Sequence, residues 1–404
     1  MTTSIDEFSG ADGVKVNYSD SRLSDQEIWI RPHGLLHQTG TQLQDTKCFD
    51  TNEYTAFFKT DGDFRFDIFA ASFFLLSRYE EYQPHEKDEY GRFPSSDSLA
   101  HKEAFLHLPV IDLWIRDLTS IACSKFPSAA FARPSFEFLP TYDIDMAWSF
   151  KHKGFWRNLG GMLRSLSKGK IQELRERARV LTGSHVDPFD AFDWLNHLHE
   201  HYSLNPYYFF LVARRRASLD KNISPTNEAM QQLIRDHAKK YKVGIHPSWM
   251  SGDNESMLKE EISTLSLLIN KPIIESRQHY IRFNLPHGYR RLIKAGIKID
   301  FSMGYGDANG FRASTCMPFY WYDLEKEVST ELLLFPFCFM EANAFYENKI
   351  SADEALAEMR RLHRVVKSVN GHFIMIWHNT FLGTDKLYAG WKEIYEQFIK
   401  EAAG

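Results

Sequence analysis

Cysteine is scarce in this chain of 404 residues: the four present, Cys48, Cys123, Cys316 and Cys338, form no CxxC pair. That spacing excludes a disulfide framework and a zinc ribbon. No secretory leader is expected either, because the opening MTTSIDEFSGADG is acidic and polar and holds no apolar segment. The longest apolar stretch, Ile68 to Leu76, falls far short of the roughly 20 residues that span a bilayer. From these absences the expectation is a cytoplasmic protein with reduced thiols. Positive charge is in no overall excess, since the formal net charge is −5, and a global field that would gather nucleic acid is excluded. The sequence contains no internal repeat, no low-complexity tract, no GxSxG elbow and no Walker loop. GYGDANG at 304–310 departs from GxGxxG and reads as a flexible turn.

What is present is an ordinary globular composition, 43% hydrophobic and 25% charged, which rules out global disorder and a coiled-coil rod. At about 150 residues per domain the length predicts two or three domains, and a chain this long buries its core without staples. Aromatic residues reach 15%; they suit stacking on sugar rings, although large cores use them too. Residues 1–134 read as a small α/β accessory domain, with FARP at 131–134 as its boundary. Within it, Asp67 is placed to cap a helix running through IFAASFFLLSRYEEY, with Pro84 just past its end, and a second helix is expected over about 111–123.

From about 135 the pattern changes. Short β-type runs occur near 136–142, 206–212, 242–246, 272–275, 297–301, 332–337 and 372–378, and helical segments separate most of them. The helix at 352–370 carries a capping box, Ser351 with Glu354, and Gly371 stands at its stop. Helical apolar spacing also marks 254–270. Seven strands alternating with helices predict a parallel α/β barrel or sheet, whose chemistry lies at the C-terminal ends of the strands. Residues 151–182 hold nine Lys/Arg against Glu173 and Glu176, a local surplus of seven positive charges. The segment is either a solvated helical insertion or a flap toward an anionic membrane or a phosphate-linked sugar.

The strand ends carry the reactive side chains. The first run closes with Asp143 and Asp145; two carboxylates so close need a cation or a proton between them, unless they merely cap a turn. The third ends at His246, followed by Pro247 and Trp249; the next presents Arg277 and His279, the fifth Asp300, and the last His378. One carboxylate with two imidazoles is a common set for a hydrolytic divalent metal with an open water position. His197, His199 and His201 are spaced by two on a helix and splay apart, so they share no metal face.

These residues resemble motifs of the polysaccharide deacetylases of the NodB-homology type, over 135–404. TYDID at 141–145 is similar to the family's T-F-D-D, RQHY at 277–280 to its R-P-P-Y-G, and IMIWHN to its strand ending in His. GIHPSWM supplies one histidine of H-x-x-x-H, with Met250 at the second position. The stretches FDIFAASFFLLSRYEEY, DEYGRFP and GFRASTCMPFYWYDL resemble a bacterial subgroup with a small N-terminal domain of unknown function. The resemblance implies a distorted (β/α)7 barrel, NodB-like, preceded by the small α/β domain. It implies removal of N- or O-acetyl groups from a sugar in a glycan or glycan precursor, with a divalent metal, zinc first among the choices. Asp143 would be the catalytic base, Arg277 its orienting partner and His378 the general acid. Asp145 and His246 would be metal ligands. His279, which stands where the family has a proline, is expected to replace the missing imidazole. Trp249 and Arg312 are the expected substrate-binding residues, Arg312 having a surface salt bridge as its plain alternative. Two other functions stay open: a metal-independent cyclic-amide hydrolase of the same fold, and a non-catalytic glycan-binding protein.

Overall fold

The computed structural model describes residues 1–51, 53–132, 134–214 and 217–403. Its apolar side chains gather into two cores. The first belongs to the N-terminal region, where a short parallel pair, β1 (Val16–Tyr18) and β2 (Ile28–Ile30), joins two helices, α1 (Ile68–Leu76) and α2 (Val110–Lys125), around Phe57, Phe58, Phe66 and Trp114. Asp67 caps α1, its carboxylate accepting the Phe69 and Ala70 N–H groups at 3.1 and 3.0 Å.

That helix ends earlier than its sequence suggests. Arg78 adopts a left-handed φ of 55°, and the chain continues as a 3-10 turn over Tyr79–Tyr82. The reason is electrostatic. The Arg78 guanidinium turns inward to Glu81 at 2.7 Å and to the Tyr305 hydroxyl at 3.0 Å, and it also donates to the Arg312 carbonyl. A buried arginine must satisfy its donors, and continuing the helix would aim them elsewhere.

The second core is organised by one nine-stranded sheet. In chain order its elements are β3 (Glu137–Ile144), α3 (Phe155–Ser167), α4 (Ile171–Leu181), α5 (Phe192–His201), β4 (Tyr207–Phe210), α6 (Glu228–Lys240), β5 (Lys242–Ile245), α7 (Glu255–Ile269), β6 (Glu275–Ser276), α8 (His287–Lys294), β7 (Ile299–Asp300), β8 (Phe319–Asp323), β9 (Val328–Leu334), β10 (Phe339–Met340), α9 (Ala352–Ser368), β11 (His372–His378) and α10 (Trp391–Ala403). The strand order is β8-β9-β7-β6-β5-β4-β3-β11-β10, parallel throughout except for the β8–β9 hairpin. Each of the seven expected runs overlaps a strand, the one at 272–275 only at Glu275. The expected distorted (β/α)7 arrangement is not closed into a barrel: no ladder joins the two ends of the sheet among the described residues. A single crossing segment fills that place. Between β9 and β10 the Phe335 N–H donates to the Asp300 carbonyl at 2.9 Å on one side, and the Cys338 N–H donates to the Ile374 carbonyl at 3.1 Å on the other. Pro336 between them has no N–H to give a ladder.

Helix ends follow local chemistry. The capping box of α9 is present, with the Ser351 N–H donating to Glu354 at 2.8 Å and the Glu354 N–H to Ser351 Oγ at 3.3 Å. The left-handed residue after α9 is Asn370, φ 53°, rather than Gly371. Gly371 is required for a different reason: a Cβ there would run into the Cys316 sulfur.

The two cores are stitched together by buried polar contacts. Arg312 donates to both oxygens of Glu81 at 2.9 and 2.6 Å, and the Cys316 N–H donates to Asp112 at 2.8 Å. Glu81 thus neutralises two fully buried guanidinium groups, and burial alone would raise its carboxyl, yet Arg312 and Arg78 hold it down at about 2. Glu81→Ala leaves Arg312 unpaired in the interior, while Arg78 keeps Glu80 at 2.7 Å, and we expect a loss of about 3–5 kcal/mol. Urea unfolding followed by tryptophan fluorescence measures it.

Candidate active site

Two-residue spacing on extended chain puts side chains on one face. Thr141, Asp143 and, just past β3, Asp145 share such a face, while Tyr142 points the other way to the hydroxyl of Tyr395 and the ring of His199. At the end of β6 the same spacing brings in Arg277 and His279. His246 follows β5, and His378 ends β11.

Arg277 is wholly buried and donates from Nη1 to Asp143 Oδ1 at 3.0 Å and to Thr141 Oγ1 at 2.6 Å, and from Nε to the Phe301 carbonyl at 3.1 Å. Its plane lies over Phe209, 4.5 Å from the ring centre. The Asp143 carboxylate is therefore aimed by a cation that cannot move.

The three imidazoles are oriented in the same way. A backbone carbonyl only accepts, so His246 Nδ1 donates to the Arg277 carbonyl at 2.7 Å, which turns Nε2 toward Asp145 Oδ1 at 3.0 Å. His279 Nδ1 is 3.1 Å from Asp220, and its Nε2 is 3.3 Å from Asp145 Oδ2. His378 Nδ1 is 2.6 Å from Glu341, and its Nε2 is 3.5 Å from Asp145 Oδ2. Burial would lower His279, but Asp145 and Asp220 raise it to about 9. Burial likewise opposes protonation of His378, and Glu341, then Asp145, carry it to about 10. Burial would raise Asp145, yet His279 and His246 hold it well below the usual carboxylate range.

Donor atoms of Asp145, His246 and His279 all lie within 4.8 Å of one another. Asp145 Oδ1 and His246 Nε2 are buried and make no hydrogen bond. Asp145 reaches the two rings through different oxygens, Oδ1 to His246 Nε2 at 3.0 Å and Oδ2 to His279 Nε2 at 3.3 Å, so a single ion can sit among all three side chains. The donor set therefore fits a divalent ion. His197, His199 and His201 contribute nothing to it: His199 is buried against the Tyr142 hydroxyl at 2.6 Å.

The cleft around these groups has a volume of about 590 Å³. Tyr90, Tyr280, Tyr346, Phe381 and Tyr388 line it, with Glu89, Glu347 and Lys221. The N-terminal region supplies part of this wall. Tyr90 stacks on Tyr280 with ring centres 5.3 Å apart, and Arg92 donates to the Tyr280 carbonyl at 3.0 Å. A larger cavity, about 1020 Å³, lies beside α1 and α2 and holds no such constellation of acid, base and ligands.

Of the two expected substrate-binding residues, Arg312 needs correction. Arg312 is neither a cleft residue nor a surface salt bridge; its guanidinium is fully buried, engaged by Glu81 and the Gly304 carbonyl. Trp249 backs the cleft wall, its ring 6.1 Å from Tyr90 and 5.7 Å from Tyr280 and covered by Arg282 at 4.5 Å. Asp300 turns from the cleft to Ser276 and Ser302, at 2.7 and 3.0 Å. Sequence reasoning missed Asp220 and Glu341, the anchors of His279 and His378. It also missed Glu89, Tyr90 and Arg92, although DEYGRFP had been singled out for its resemblance alone.

Residues 1–127 match a family model described as "Family of unknown function (DUF7033)". A search of curated proteins finds no match. Among solved structures the chain is similar to a candidate polysaccharide deacetylase from Mycobacterium smegmatis, at 12% identity, TM-score 0.43, covering 68% of this chain and 87% of that one. It is similar to the polysaccharide deacetylase Bc1974 from Bacillus cereus, at 11% identity, TM-score 0.30, covering 66% and 88%. It is also similar to a family 4 carbohydrate esterase from Streptomyces lividans in complex with acetate, at 11% identity, TM-score 0.30, covering 67% and 91%. At this level of likeness the chemistry has to be argued from the site itself.

The raised His279 gives a stability test. The unfolded ring loses its proton near 6.5, while the folded one keeps it to about 9. Without metal, the contribution is complete below pH 6.5 and disappears as pH rises through 9. Thermal melts in chelator should fall over that window, and the fall should be smaller in His279→Ala. Added zinc should raise the melting temperature most at the alkaline end, where no proton competes.

Proposed function

We propose that the protein is a divalent-metal-dependent hydrolase that removes an acetyl group from an acetylated sugar, an N-acetyl amide in the first instance. The observation that carries this reading is the convergence, in one cleft, of an Asp/His/His donor set with a carboxylate oriented by Arg277 and an imidazole paired with Glu341. Asp145, His246 and His279 would hold the ion, zinc being the first choice. A divalent ion there supplies Lewis acidity to the acyl carbonyl and lowers the pKa of a water.

The chain's own groups do the rest. Asp143 takes the proton of the attacking water as its oxygen joins the acyl carbon. Arg277 fixes the direction of that carboxylate through the 3.0 Å bond to Oδ1. His378 gives its Nε2 proton to the leaving nitrogen as the carbon–nitrogen bond breaks, so acetate and a free amine result. Glu341, with Oε1 2.6 Å from Nδ1, keeps His378 an acid at neutral pH. The aromatic walls of the cleft suit the faces of a sugar ring. The complete donor set favours this reading over the metal-independent cyclic-amide one, and the retained base and acid favour it over a binding protein without turnover.

Three outcomes test it. Chelation should abolish release of acetate from an acetylated aminosugar oligomer, and zinc should restore it; activity that survives chelation refutes the proposal. Asp143→Asn should lower kcat by about 10²–10⁴ while metal content by emission spectrometry stays that of wild type. Glu341→Gln should move the alkaline limb of the kcat profile to lower pH, because His378 then loses the anion that raises it.

A further inference from the structure

Helices α3 and α4 form a hairpin inserted between β3 and α5, immediately after Asp145 and on the side of the sheet where the cleft opens. Their amphipathic order is reversed. The polar faces meet each other: Arg177, buried, donates to Asn158 at 3.2 Å and pairs with Glu173 at 3.2 Å, and Ser165 donates to Glu173 at 2.9 Å. Gly161 makes room for the Arg177 guanidinium. The apolar face of α3 looks outward, while on α4 Val180 is buried. Phe155, Trp156, Leu159, Met162, Leu163 and Leu166 fall on one stripe of α3 by helical spacing, and Phe155 and Trp156 are 72% and 79% exposed. On α4, Ile171 and Leu181 are also exposed. A contiguous apolar face turned to water marks an interaction surface.

Exposed cations border it: Arg164, Lys168, Lys170, Arg175 and Arg179. We propose that this hairpin is a peripheral docking element that seats on an anionic lipid bilayer, its aromatic and aliphatic stripe entering the interface and its lysines and arginines meeting the headgroups. No described helix is long and apolar enough to cross a membrane, so the contact is superficial. Charge selects this occupant. Residues 151–182 carry seven surplus positive charges in a chain of net −5, and a second copy would bring two such segments together. Nucleic acid would take the cations and leave the leucine stripe uncovered.

The hairpin is fastened beside the cleft. Arg157 donates to the Lys221 carbonyl at 3.3 Å, the His152 carbonyl accepts from Asn227 at 3.1 Å, and Lys221 lines the cleft wall. Docking therefore holds the cleft at the bilayer surface. Joined to the hydrolase reading, on which this last step rests, it points to an acetylated sugar carried at that surface.

Flotation of the full-length protein with vesicles tests the docking without any activity measurement. Binding to vesicles of phosphatidylcholine with phosphatidylglycerol should exceed binding to phosphatidylcholine alone by about tenfold or more and should weaken with added salt. Phe155→Ser with Trp156→Ser should cut binding to both by about tenfold, and Lys168→Glu with Arg175→Glu should erase the preference for phosphatidylglycerol. These side chains are exposed, so unchanged thermal melts verify folding. Absence of vesicle binding overturns the proposal, as does equal binding by the variants. Concentration-dependent dimerisation that Trp156→Ser abolishes, seen by analytical ultracentrifugation without vesicle binding, assigns the stripe to self-association and overturns it equally. Acetate release from a soluble oligomer should persist in the Phe155/Trp156 variant; its loss in wild type as well would refute the hydrolase reading and leave the docking intact.

Discussion

The carboxylate of Asp145 faces the Nε2 atoms of three imidazoles, at 3.0, 3.3 and 3.5 Å. That can happen only if each ring is turned by a partner on its far nitrogen. A backbone carbonyl turns His246, Asp220 turns His279, and Glu341 turns His378. Buried charges are costly unless paired, so every supporting acid lies within reach of a cation or a donor. The parallel strands bring these anchors to one end of the sheet, and the rest of the cleft is built around their convergence.

Much of this was legible because strand geometry writes itself into spacing. Asp143 and Asp145 are two apart, and so are Arg277 and His279. Once each pair is placed at a strand end, both members fall on the inward face. In the resemblance Met250 stands where the motif has a histidine, which pointed to His279 as the second imidazole; its Nε2 lies 3.3 Å from Asp145, and Met250 is exposed. The strands themselves showed as apolar runs, since strands buried on both faces lose polar alternation.

What stayed hidden has physical reasons. Asp220 lies in a loop and Glu341 just past a strand of two residues, where no periodicity marks a side chain's direction. Arg312 was a charged residue in a glycine-rich loop, and nothing local reveals that Glu81, more than two hundred residues away, waits to neutralise it. The closed barrel failed for a related reason. Closure depends on whether β9 and β10 present matched hydrogen-bonding edges, and a proline with four connecting residues takes the chain across instead. The early end of α1 came from a tertiary demand on Arg78 that helix propensity cannot register.

The contact of Arg92 and Tyr90 with Tyr280 changes what the N-terminal region is. A segment matched only to a family of unknown function forms one side of the cleft. Tyr280 and Ile281 both hold positive φ angles, 59° and 54°, directly after the ligand candidate His279. A backbone kept in that costly conformation needs bracing, and Arg92 grips the carbonyl at its centre. Cleft wall and scaffold are thus one piece: any exchange of the front module would have to carry the 88–92 loop along, or surrender both that side of the cleft and the splint beneath the turn after His279.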